Sequence, residues 1–378
     1  MPDGPRLIST ATLLLALLLP CPALWAEEAE GAGLTLQGIK DSIKDFLGLS
    51  LYLQGGYTHS FGDNLIGGDT IPLRVFDTRD DSFSLDLAEI NLYRSAPQSG
   101  GVGYGFRLAV GETAKLVNAT EDATGGGLFA SGDPIDLFEG YLEAVAPLGN
   151  GLRFTFGKFV TMHGAEVIEA SPNLNYSRSF LFGFAIPFSH TGLKIAYPLT
   201  DWLSASFHVV NGWDNFDDNN DGKTLGYTLC LTPADWYGLT VNFMHGPEQE
   251  DNNSNTRYLF DLVGTLKPLE GVTFVLNYDW GYEEDVPGAG NARWWGVAGY
   301  AAYRLNDMLS GAVRAETFND PSGFRGVGGR VYEVTFTPQI EYHGLKIRPE
   351  YRHDWASDDL FNGKDSQDTA ALGLMYAW

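Results

Sequence analysis

The chain has 378 residues, a formal net charge of −24, 13% aromatic residues, 46 glycines and two cysteines. So acidic a chain offers no basic face to a phosphate backbone, which excludes nucleic acid as a partner. Beyond the leading segment no apolar run reaches the roughly 20 residues that a membrane-spanning helix needs, and the glycines and aromatics favour many strands joined by tight turns.

Residues 1–26 read as a secretory signal peptide: Arg6 precedes an apolar run from Leu7 to Leu19, and small residues follow, with cleavage after Ala26 or Ala23. Its removal takes Asp3 and Arg6 together, so the charge stays at −24, and takes Cys21, so Cys230 has no partner for an intramolecular disulfide. In 27–47, Leu36, Ile39, Ile43, Phe46 and Leu47 recur at helical spacing. A short amphipathic helix on the periplasmic side fits this segment; a loosely ordered leader is the alternative.

From residue 48 to 378 the pattern changes to period two. In VTFVLNYDWGYE, Val272, Phe274, Leu276, Tyr278, Trp280 and Tyr282 face one way and Thr273, Asn277, Asp279 and Gly281 the other. Half-apolar strands of this length suit lipid on one side and water on the other. Strands are expected near 49–60, 82–93, 102–111, 135–145, 152–159, 189–198, 203–212, 223–232, 237–245, 256–267, 272–283, 292–304, 308–318, 331–342, 345–355 and 368–378, about sixteen in all. The connections alternate: long stretches at 61–81, 112–134 and 160–188 interleave with SAPQSGG, APLGNG and PLTD. The fold expected is therefore all-β, an antiparallel transmembrane β-barrel of the bacterial outer membrane with both termini periplasmic. Trp202, Trp236, Tyr237, Trp280, Tyr282, Tyr342 and Trp355 fall near strand ends, where interfacial belts need aromatics.

The segment 160–188 holds both NYSRS and the apolar run FLFGFAIPF, which has little reason to sit in open water. Folded inward, it would bring Glu166 and Glu169 towards Arg178 at a constriction. Folded outward, Phe180, Phe182, Phe184, Ile186 and Phe188 would extend the sixth strand. Next, Asp217, Asn219, Asp221 and Gly222 match the first half of a calcium loop, but its twelfth position is Thr228 and not Glu, so calcium stands beside a plain polar loop. Acids crowd the long connections: Asp214, Asp217, Asp218 and Asp221, then Glu248, Glu250 and Asp251, then Asp358, Asp359, Asp365 and Asp368. An acidic outer rim follows, suited to divalent bridges to lipopolysaccharide.

The marks Gly157-Lys158-Phe159, Gly164 with Glu166, Asn175-Tyr176-Ser177-Arg178-Ser179, Pro187 before His190-Thr191-Gly192, and Asn211-Gly212-Trp213-Asp214 with Asp218-Asn219-Asn220 resemble the OmpL-like β-barrel porin family. The resemblance covers the central third of the chain and implies an outer-membrane pore, without a substrate.

A sixteen-strand barrel leaves an aqueous channel, so function depends on what faces it. By alternation the lumen receives Arg107, Lys194, Arg257, Lys267, Arg293, Arg314, Lys346, Arg348 and Arg352, together with Glu139, Glu143, Asp261, Asp279, Glu316, Glu333, Glu341, Glu350 and Asp354. The two sets balance, so most of these charges are expected to neutralise each other in pairs; the alternative is that Lys346, Arg348 and Arg352 on one strand form a basic wall whose transverse field orients dipolar solutes. The pore residues expected are Glu166, Glu169, Arg178, Arg314, Lys346, Arg348 and Arg352. The function expected is passive diffusion of ions and small hydrophilic solutes; a non-conducting adhesin or scaffold is the alternative. Ser189 beside His190 and His353 beside Asp354 point to opposite faces, so neither makes a catalytic dyad, and no cofactor beyond the calcium candidate is implied.

The chain ends DTAALGLMYAW, where Leu372, Leu374, Tyr376 and Trp378 share one face, as a closing barrel strand requires. The spacing Gly373, Tyr376, Trp378 resembles the C-terminal signal by which outer-membrane barrels are recognised for insertion. Partners expected are thus the barrel-assembly machinery, outer-membrane lipid and lipopolysaccharide, small solutes and, as a further option, two more copies in a homotrimer.

Overall fold

The computed structural model describes residues 47–122 and 129–378. The expected signal peptide, and the helix expected in 27–47 apart from Leu47, lie outside the described residues. The first eight strands are β1 (Leu49–Ser60), β2 (Ser82–Arg94), β3 (Gly101–Val110), β4 (Ile135–Ala146), β5 (Leu152–Val160), β6 (Ser189–Thr200), β7 (Leu203–Val210) and β8 (Thr224–Ala234). The second eight are β9 (Tyr237–Gln249), β10 (Asn252–Leu266), β11 (Val272–Val286), β12 (Gly290–Arg304), β13 (Leu309–Asn319), β14 (Arg330–Tyr342), β15 (Leu345–Ala356) and β16 (Ser366–Ala377). All pair antiparallel in chain order, and β16 returns to β1 to close the barrel.

The alternation is that of an inside-out protein. In β11, Phe274 and Leu276 are exposed while Asn277, Asp279 and Glu283 are buried. Water-facing folds bury the other set; here the bilayer takes the apolar face and the lumen the polar one. Among the described residues no helix is long and apolar enough to cross a membrane. At the seam, Leu53 stands opposite Tyr376 and Gly56 opposite Gly373, and the backbones of Leu51 and Trp378 exchange two hydrogen bonds of 2.9 Å. The final strand closes the barrel as its pattern predicts. Tyr332 and Trp355 stack at the long-loop rim, and Trp202 and Trp236 lie exposed at the short-turn rim, as two aromatic belts require.

Three expectations change. Arg293 is exposed, because it stands opposite outward Tyr282; its neighbour Trp294 points inward, over Gly281, where a Cβ would come within 1.9 Å of the indole. The strands β9 to β12 run past their expected ends, so GPEQEDNNSN is a ribbon with a tight turn at Glu250 and Asp251. Glu248 is consequently buried instead of rimming a loop. Last, the connection 112–134 contains a helix, α1 (Glu112–Asp122), whose Ala114 and Val117 are fully buried at a three-residue spacing too brief to register as periodicity.

Candidate functional site

Between β5 and β6 the chain turns into the barrel, and the apolar run is buried there: Phe180, Leu181, Phe182, Ile186 and Phe188 are each at most 3% exposed. The outward alternative is overturned, since β6 begins only at Ser189. A single π-helical turn, Leu181–Ala185, presents Phe182 to Phe76 of the first long connection, with ring centroids 5.6 Å apart, and Phe188 meets Phe76 at 5.5 Å.

Irregular backbone inside a barrel must replace its lost water. The wall supplies the partners. Asn277 Oδ1 accepts from Ala165 N at 3.0 Å, Gln54 Oε1 from Ala170 N at 3.0 Å, and Glu350 from the N–H groups of Tyr176 and Ser177 at 2.7 and 3.0 Å. Glu316 accepts from Phe180 and Leu181 N–H groups at 2.5 and 3.2 Å. The carbonyls are met by arginines: Arg348 donates to Ala170 and Asn175, Arg314 to Ser177, and Arg352 to Arg178. Lys346 Nζ donates to the Ser171 carbonyl at 2.9 Å. The basic wall therefore clamps the loop. Lys346 and Arg348 end on its carbonyls, and Arg352 on the Arg178 carbonyl, Asp354 and Glu333.

The pairing expected across the constriction is also different. Glu166 meets Arg314 at 2.8 Å, and Glu169 pairs with Arg107. Arg178 bonds the carbonyls of Tyr176 and Ile168 and lies 4.9 Å over the Phe76 ring. Arg178 thus curls back on its own loop, a local anchor, because Arg314 and Arg107 reach the two glutamates from opposite walls. The loop's far end is held by Asp214, whose Oδ1 accepts from Phe188 N at 2.6 Å and Ser189 N at 2.9 Å. Burial pushes this carboxyl up to about 6, opposed by those two N–H groups and by Arg325 and Arg257.

Tyr176 finishes the seating. Its hydroxyl donates to Asp86 at 2.7 Å, and its ring fills a notch made by Gly56 and Gly373, opposite each other across the seam. A Cβ on Gly56 would lie 1.9 Å from the Tyr176 hydroxyl, and one on Gly373 2.3 Å from its ring. Gly373, expected as part of an insertion signal, also makes this socket, while Tyr376 and Trp378 face outward.

Two cavities flank the tip of the loop at Ser171 and Pro172. One, of about 670 Å³, opens at the short-turn rim and is lined in part by Lys267, Lys346, Arg348 and Gln339. The other, of about 370 Å³, lies against β1 to β3, between Glu89, Asn91, Arg107, Glu169, Phe182 and Phe188. Arg107 Nε donates to Tyr93 Oη at 2.9 Å, and its other nitrogens meet Glu139 at 3.1 Å and Glu169. Arg107 and Glu139 were expected in the lumen; Glu89 was not picked out, although Glu89, Asn91 and Tyr93 share a face in LAEINLY.

In the calcium candidate, Asp217 and Asp221 are exposed, Asn219 Oδ1 accepts from Asn220, and Asn219 Nδ2 donates to the Glu248 carbonyl at 3.2 Å. The chain then enters β8 at Thr224, so the twelfth position, Thr228, lies in a strand. Ser189 Oγ donates to Glu121 at 2.7 Å, and His353 pairs with Asp368 at 2.8 Å.

The sequence pattern of the family described as Putative beta-barrel porin-2, OmpL-like, matches residues 47–378. No curated protein matches the chain. Among solved structures it is similar to OprB of Pseudomonas putida, with a TM-score of 0.61 at 9% identity, covering 90% of this chain and 97% of that one. The anion-selective porin from Comamonas acidovorans gives 0.60 at 8% identity, covering 87% and 98%. OmpF of Salmonella typhi, solved with daunomycin, gives 0.58 at 14% identity, covering 87% and 97%. At such identities these likenesses speak for the fold.

Proposed function

The chain belongs to the OmpL-like β-barrel porin-2 family and is a porin of the bacterial outer membrane, and on that footing we propose that it passes ions and small hydrophilic solutes by passive diffusion along the inner loop. The observation that carries this reading is the loop 161–188, which is fixed inside the barrel and leaves a cavity with charged side chains in its wall on either side of its tip. A barrel kept only as a scaffold has no need of a lumenal loop fixed at every turn by wall charges. The path runs through the smaller cavity past Glu89, Glu166 and Glu169, with Arg107 among them, so there three acids face one base and cations are favoured.

The protein acts as a channel and not as a catalyst, and it needs no cofactor; titration calorimetry of Ca²⁺ against the parent and Asp217→Ala tests the outer loop for an ion. Residues 1–26 direct secretion, 27–47 stay on the periplasmic side with both barrel termini, and 48–378 form the pore. Both described ends lie on the short-turn rim, which supports that orientation. Lipid, lipopolysaccharide and the assembly machinery are its partners, and a homotrimer is its assembly.

Planar-bilayer recording of the refolded protein in a KCl gradient tests the reading. Discrete steps with a cation-selective reversal potential are expected. Glu169→Gln should move the reversal potential towards anions, whereas Arg178→Ala should move it little, because Arg178 is buried within the loop. A bilayer that stays silent would leave the adhesin as the better account.

A further inference from the structure

The smaller cavity contains acceptors that the protein does not use. Glu89 is 3% exposed, receives one 3.4 Å bond from Asn91 Nδ2, and its Oε1 finds no donor among the described residues. Asn91 Oδ1, on a residue 9% exposed, likewise finds none. Arg107 does not serve them, since its nitrogens are directed to Tyr93, Glu139 and Glu169. Buried acceptors are rarely left without donors, so a site built this way is short of one donor-rich group.

We propose that this cavity is a binding subsite for an organic ammonium solute, a small primary amine cation carrying an apolar body. The proposal rests on the channel reading and names one class of solute for it. An ammonium group brings three donors and no acceptor, which matches what Glu89 and Asn91 lack. Its charge answers the excess of Glu89, Glu166 and Glu169 over Arg107 in the lining. A neutral alcohol would bring the donor without the charge, and an inorganic cation would leave the rest of the wall unexplained. That wall is apolar: Tyr52, Val160, Ile168, Phe182 and Phe188 line the same space, and aromatic faces attract cations as well as hydrocarbon. A volume of about 370 Å³ falls within the range of small-ligand pockets. Ser50 and Ala377 at the edge of the cavity place its entrance towards the short-turn rim.

The test compares three probes against the KCl current: phenethylammonium, 2-phenylethanol and ammonium. Phenethylammonium alone should block, with a half-blocking concentration at least tenfold lower than either of the others. Glu89→Gln, checked for folding by its heat-modifiable band, should raise that concentration tenfold or more. Equal block by 2-phenylethanol, equal block of parent and variant, or no block at all would overturn the subsite. Calorimetry with phenethylammonium on the detergent-refolded parent reads binding without current. Heat with a silent bilayer would sink the channel and keep the subsite; KCl steps with neither heat nor block would do the reverse.

Discussion

Single side chains in this barrel mostly trade with one segment of backbone. Arg314 is fully buried, and its donors go to Glu166, Glu333 and the Ser177 carbonyl; removing one member of such a cluster strands the others at about 3–5 kcal/mol. Asp214 differs because it titrates within reach. Its pKa rises from 3.8 to about 6 in the folded protein, so the folded state keeps the proton that the unfolded chain releases first. The stability tied to that proton is fully present below about 3.8 and is lost as pH rises through about 6. Asp214→Asn keeps an oxygen for the Phe188 and Ser189 N–H groups but removes the titration. Urea unfolding of parent and variant between pH 3.5 and 7.5 should therefore show the parent losing on the order of 2–3 kcal/mol relative to Asp214→Asn across that window. Parallel curves would mean that Asp214 keeps an ordinary carboxyl.

At the level of elements, the inner loop and the seam form one device. Gly56 and Gly373 lack side chains on the face where the alternating pattern of β1 and β16 would place them, and Tyr176 occupies the space. Gly373→Leu leaves the strand pairing intact but closes the socket. Overpacking of this kind costs about 1–3 kcal/mol, and the loop can relieve it by leaving the wall. A larger KCl step in Gly373→Leu than in the parent is expected, and an unchanged step would show that Tyr176 is not what keeps the lumen narrow. Much of this element structure was legible beforehand. VTFVLNYDWGYE shows its two faces at a glance, and FLFGFAIPF marks itself as chain that water would not hold. The partners were not legible, because Glu166 and Arg314 are separated by 148 positions and meet only once curvature and register set which wall faces the loop. The same holds for Glu89: alternation gives its face, but only the closed barrel shows that Arg107 is already committed elsewhere.

Over the whole molecule, closure is what makes an open sheet tolerable in lipid, since each unpaired backbone group in the hydrocarbon costs several kcal/mol. The seam β1 to β16 is therefore the step on which the fold depends, and it runs to the last residue, with Leu51 and Trp378 bonded in both directions. Yet those two bonds lie at the very rim, where water can replace them, and nine further residues of β16 stay in register with β1 from Thr369 to Ala377. Thermodynamics alone predicts a small loss when Trp378 is removed. Recognition predicts a large one, because outward Tyr376 and Trp378 are what an insertion machinery can read before the barrel exists. The two accounts separate in different vessels. Deletion of Trp378, or Tyr376→Ala with Trp378→Ala, should leave refolding into detergent near the parent level by heat-modifiable mobility, while the yield of barrel in the outer membrane of cells falls several-fold. Equal yields in cells would remove the signal and leave the terminal aromatics as belt residues; failure to refold in detergent would make them part of the closure itself.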